Sequence, residues 1–240
     1  SGGDLGRAVA DLEEAIRLGD ARDEAVARLH LAFVHTQGGR AREALDALEG
    51  CRPQLVRLGL TWEVGASWLL AAWAHLAGGD VTAGRAACGR ALAQLGPLGD
   101  GWALAHAEGL LGELALAEHR FPEAVEHLHR AAATAGALGF EAAQAHHVLN
   151  LGRAQHDSGE VGAARASLER AVDIARRCGD ARTAAVARTH LARLLDERGE
   201  TVAALGLAAS AVAWFEGAGG GDGAALAQDL LAHLRADATP

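Results

Sequence analysis

The residues able to do chemistry crowd the middle of the chain. Seven of its twelve histidines fall between 106 and 156: His106, His119, His127, His129, His146, His147 and His156. Metal ligation is the first chemistry to test. His127 and His129 lie two apart on an expected helix and point to different sides. His146 and His147 are adjacent and diverge likewise. His106 and His146 stand forty residues apart, but neighbouring helix axes are about 8–10 Å apart, so they share a metal only if both lean inward. No metal is expected. Cys51, Cys88 and Cys178 are widely spaced, with no CxxC pair, and read as reduced core thiols of a cytosolic protein. Nucleophilic and phosphate-binding motifs are missing: there is no GxSxG, HExxH or P-loop. The glycine-rich stretch 217–223 lacks the Lys-Ser/Thr pair and follows a helix. Ser67, Ser158, Ser167 and Ser210 show no His/Asp pattern. Neither catalysis nor a cofactor is expected, so the remaining chemistry is binding. Arginine can fork onto a carboxylate. Asn150, the sole asparagine, can donate and accept at once, as a peptide unit requires.

The elements that must carry these residues are announced by glycine. Gly59, Gly99, Gly139, Gly179 and Gly219 recur every forty positions. A second column, Gly39, Gly79, Gly159 and Gly199, runs half a period out of phase and is broken by His119. Glycine ends helices because it enters the left-handed region without steric cost. Two such columns per period predict two helices per repeat, A and then B. The repeats span 21–60, 61–100, 101–140, 141–180 and 181–220, after a half-repeat at 3–20 and before a closing helix at 223–236. The connection 216–223 is expected to be the most flexible. Small residues at Ala32, Ala72, Gly112, Gly152 and Ala192 admit a close A–B approach. On the B helices, Ala44, Gly84, Ala124, Ala164 and Ala204 form the matching column. The expected fold is all-α: a right-handed α-solenoid of about twelve helices with one continuous domain over 1–240.

Composition agrees. The chain has 240 residues, half of them hydrophobic, and a formal net charge of −9. All its basic residues are arginine, and none forms a continuous basic stripe, which argues against nucleic-acid binding by this segment. The longest apolar run, 64–77, contains His75 and is too short for a bilayer. With no signal peptide, the expected location is cytoplasmic, with no membrane partner. Ser1-Gly2 reads as the remnant of a cleaved tag, and an array opening mid-repeat reads as a piece of a longer protein. The two unpaired end helices offer edges for oligomerisation.

The pattern resembles the tetratricopeptide repeat (TPR), whose signature includes W-x2-L-G-x2-Y and a later A-x3-F. Leu111-Gly112 and Leu151-Gly152 carry its L-G pair, and Trp68 its tryptophan. The tyrosine position holds His35, His75, Ala115, Gln155 and Leu195, and the period is longer than the usual ~34 residues. The resemblance implies a concave groove lined by A helices. It implies a ligand- or peptide-binding set of Phe33, Leu69 and Trp73 in an apolar half. The polar half would hold His106, Glu113, His146, Asn150, Arg153, His156, Thr189 and Arg193. A peptide, a protein segment or an amphipathic small molecule would suit such a groove. Two readings stay open for several members. Arg153 and Arg193 either meet a guest or form a structural ladder with Glu113 and Asp157. Trp73 either faces the guest or packs between A helices. Trp62 and Trp102 are expected at inter-repeat seams. Phrases such as LGDARDEA, LERAVDIARRCGD and LARLLDERGE also resemble the TPR tails of actinobacterial LuxR-type and antibiotic-pathway regulators. That implies a sensor segment whose DNA- and nucleotide-binding parts lie elsewhere. A constitutive protein–protein scaffold is the alternative.

Overall fold

A computed structural model describes residues 2–221 and 223–237, with side chains from residue 5. Ser1 of the expected tag remnant and Asp222 of the 216–223 connection lie outside the described residues. Twelve α-helices and no strands occur among the described residues. They group into two compact units, 1–118 and 119–240.

The first unit holds α1 (Gly2–Leu18), α2 (Ala21–Gln37), α3 (Ala41–Arg57), α4 (Thr61–Ala77), α5 (Val81–Leu95) and α6 (Gly101–Ala117). In repeat terms these are a B helix, two complete hairpins and an A helix. Each helix packs on the next, and the A helices α2, α4 and α6 also pack on one another. Its core joins Leu29, Leu48, Leu55 and Ala72 with Cys51, Cys88 and Leu114. Helix α5 is shorter than its counterparts and passes into a 3-10 turn at Gly96–Leu98. Pro97 explains this, since it has no N–H for the α-helical ladder.

The second unit repeats the plan with α7 (Phe121–Ala137), α8 (Glu141–Asp157), α9 (Val161–Cys178), α10 (Ala181–Glu197), α11 (Thr201–Gly217) and α12 (Ala224–Asp237). Helices α8, α10 and α12 pack on one another as well as on their chain neighbours. Leu149, Leu168, Ile174, Leu194, Phe215 and Leu234 fill its core.

The periodic signals have direct structural causes. Every glycine of the two columns adopts positive φ, and His119 joins them at φ 57°. Its ring lies edge-on to Phe121. Asp80, Asp100 and Asp180 follow such turns, and they and Asp20 accept hydrogen bonds from backbone N–H groups of the helices they open. The small A-helix column is buried throughout. At Gly152 a Cβ would stand 2.8 Å from Leu168 Cγ and 3.2 Å from its backbone nitrogen. One thiol departs from expectation: Cys51 and Cys88 are buried, but Cys178 is half-buried. It closes α9 in the last turn, past the core stripe of Leu168, Ala171 and Ala175. Burial pushes the Cys88 thiol up to about 12, so it stays protonated and packs as a small apolar group.

Candidate binding site

Three residues separate two very different positions on an A helix. The position one after the small residue is open in both units. In the first unit it holds Phe33 and Trp73, whose rings meet edge-on with centroids 6.4 Å apart. Phe33 is exposed and Trp73 half-buried. The position three before the small residue is interior. Leu29, Leu69, Leu149 and Thr189 occupy it and are at most 6% exposed. Leu69 and Thr189, expected to line the groove, therefore belong to the packed seams. Leu69 sits among Ala91, Leu95, Ala103 and Ala107, and the Thr189 hydroxyl donates back to the Ala185 carbonyl at 3.1 Å. A step of four residues keeps both positions on the same helical face, so it is packing against neighbouring helices that covers one and leaves the other open.

The seam tryptophans of the first unit make a ladder. Trp62 and Trp102 lie 6.2 Å apart, and His106 stacks on Trp102 at 4.2 Å. Trp62 Nε1 donates to Asp100 Oδ2 at 2.6 Å. That bond and the two N-cap bonds to Asp100 hold its carboxyl below the usual carboxylate range. His106, expected in the polar half of the groove, thus joins this aromatic edge. Glu113 is half-buried one turn before the end of α6.

In the second unit the polar residues converge. His146, exposed on α8, sits 3.2 Å from Asn150 Nδ2 through its Nε2. Arg153 Nη1 donates to Asn150 Oδ1 at 2.9 Å. Asn150 itself is only 2% exposed. Its amide is covered by its own neighbours, so what it does here is orient Arg153. On α10, Arg193 Nη2 lies 3.0 Å from His156 Nδ1, and His156 Nε2 lies 2.7 Å from Glu197 Oε2. Arg193 also lies 3.7 Å from Asp157. The ladder reading therefore describes Arg193, whereas Arg153 has no carboxylate within ion-pair range among the described residues. The same row of helices continues to α12, where His233 Nε2 stands 3.5 Å from Asp196.

One member was not anticipated. His190 lies forty residues after Asn150, at the matching position on α10, and that offset could have found it. Its Nδ1 is buried without a hydrogen-bond partner. Burial, then Arg153, Arg193 and His156, push its pKa down to about 3. The ring is neutral, and the charge around it is positive. Such a surface can accept an anionic or carbonyl oxygen. Among the described residues no group of three or more His, Cys, Asp or Glu is placed to hold a metal. Nor is any helix among them long and apolar enough to cross a membrane.

Comparison with solved structures places this architecture. A Rap protein complexed with competence and sporulation factor superposes with a TM-score of 0.73 at 15% identity, over 98% of this chain and 71% of that one. The fold is TPR-like. Aspartyl phosphate phosphatase F from Bacillus subtilis gives a TM-score of 0.70 at 13% identity over 83% of this chain. The chain spans 54% of that phosphatase, about half its length. A signal-transduction ATPase from Pyrococcus horikoshii with a tetratricopeptide repeat sensor gives 0.69 at 13% identity, covering 81% of this chain and 30% of that one. At such identities the TPR-like likeness is one of fold, not of site. The model of the family described as anaphase-promoting complex subunit 5 matches residues 20–52 and 113–198, just under half of the chain. No curated protein matches the sequence.

Proposed function

We propose that this TPR-like chain is a non-catalytic sensor segment of a bacterial regulator, and that α8 and α10 bind an acidic peptide or protein segment. One observation carries the reading: Arg153 is held by Asn150, lacks a carboxylate partner among the described residues, and lies in the same field around His190 as Arg193 and His156. A guest carboxylate or main-chain carbonyl would supply the missing acceptor. The resemblance of the repeat phrases to those of actinobacterial regulators supports the wider setting, as do fold relatives named for a bound factor and for a sensor role. A guest acts on such an array only through its preference for one conformation over another. In the first unit the Phe33–Trp73 pair is a separate apolar face for a guest side chain.

Calorimetric titration with a panel of short acidic peptides tests the reading. Arg153→Ala is expected to weaken binding at least tenfold, the loss of about 1.4 kcal/mol or more for a charge-assisted bond, and to leave the melting temperature unchanged. Heat that is the same for the wild type and Arg153→Ala contradicts it.

Self-association is the second reading. It is favoured by α11, which carries no charged residue from Thr201 to Phe215 and leaves Val202 90% exposed. Light scattering over a concentration series separates the two, since a tight oligomer formed without peptide supports the scaffold.

A further inference from the structure

On the first unit a single indole carries two guanidinium groups. Arg52 of α3 places its Cζ 3.6 Å from the centroid of the Trp68 ring, and Arg90 of α5 places its own at 4.5 Å. We propose that Arg52 and Arg90, set against Trp68 of α4, form a site for a phosphate group. It does not rest on the peptide reading.

Three features build the site. Arg52 is immobilised: Nε donates to Ser67 Oγ at 3.0 Å and Nη2 to the Ser67 carbonyl at 3.4 Å. Ser67 is fully buried and is itself fixed by donating to the Val64 carbonyl at 2.7 Å. Arg52 as a whole is half-buried. Next, among the described residues neither arginine has a carboxylate in ion-pair range, whereas Arg28, Arg85 and Arg165 pair with Glu24, Glu118 and Glu169. Glu49 is the carboxylate whose field reaches Arg52. Finally, the indole stabilises each cation through its face but supplies no negative charge, so two guanidinium groups rest on one ring with no ion-paired carboxylate among the described residues. Burial above all loosens the hold of Arg52 on its proton; Cys51 and Glu49 oppose this, and Arg90 adds to it least.

Charge decides the class of ligand. A carboxylate neutralises one guanidinium and leaves the other. A phosphate dianion neutralises both, and its tetrahedral oxygens accept from both forks. Inorganic phosphate and a phosphate monoester share this chemistry.

The test is calorimetric titration of the chain at low ionic strength, where exposed charges act most strongly, with inorganic phosphate, O-phosphoserine and acetate. Saturable binding of phosphate is expected, with acetate at least about tenfold weaker. Arg90→Gln and Arg52→Gln should each weaken phosphate at least about tenfold. Arg52→Gln also removes the Ser67 bonds, so its melting curve is recorded alongside. Arg90 is exposed and makes no hydrogen bond or ion pair among the described residues, so Arg90→Gln keeps the fold and decides the matter. Arg153→Ala should leave phosphate binding unchanged, which separates this site from the peptide face. Phosphoserine binding as tightly as phosphate, or tighter, points to a monoester ligand; phosphate binding alone points to the free ion. No saturable binding of either, or undiminished binding by Arg90→Gln, overturns the proposal.

Discussion

His190 shows how a single side chain can report the state of its surroundings. Its ring is kept neutral by burial and by Arg153, Arg193 and His156, with a pKa pushed down to about 3. In the unfolded chain the same ring titrates near ~6.5. Between those values the unfolded state binds the extra proton, so stability is full above the higher value and is lost as pH falls toward the lower. The expected loss from this residue is about 2 kcal/mol between pH 7 and pH 5. Urea denaturation midpoints at the two pH values measure it. His190→Leu should flatten the dependence by that amount, and an unchanged slope would place the titration on another group. A carboxylate bound at Arg153 would oppose the positive field and raise the His190 pKa, which couples the peptide face to the same ring.

Helix approach sets the precision of the hairpins. At Gly152 the α8 backbone comes so close to α9 that an added Cβ would press on Leu168, including its main-chain nitrogen. Gly152→Ala is therefore expected to cost about 1–3 kcal/mol, read from a thermal or urea unfolding curve. The equivalent positions Ala32, Ala72 and Ala192 already carry the methyl group and remain fully buried. At this scale the sequence was highly informative. Glycine spacing located the ends of most helices within a residue or two, because positive φ is a demand on one residue that few types meet; α5 is the departure, ending at Leu95 four residues before Gly99. Even the exception was legible, since His119 takes up the left-handed turn of its column. Side-chain partnerships were less legible. Leu69 and Thr189 look like groove residues on a helical wheel, yet the adjoining repeat covers them. Asn150 was singled out by its rarity, although its contacts show it holding Arg153. The Arg52–Trp68–Arg90 group joins three helices at spacings with no periodic signal.

Across the molecule, each unit has one plan: a B helix, two hairpins and an A helix, with its own core. Stacked repeats of this kind draw stability from neighbour-to-neighbour interfaces. They place the first helices of successive hairpins side by side, as α8, α10 and α12 show. In the second unit, peptide recognition falls to those first helices, and the second helices α9 and α11 serve the packing. Amide hydrogen exchange with and without a saturating acidic peptide tests that assignment most directly, because protection reports which backbone a guest covers. Slower exchange is predicted along 150–157 of α8 and 190–197 of α10, with α9 and α11 unchanged. Protection confined to α9 and α11, or no change anywhere at saturation, would contradict it.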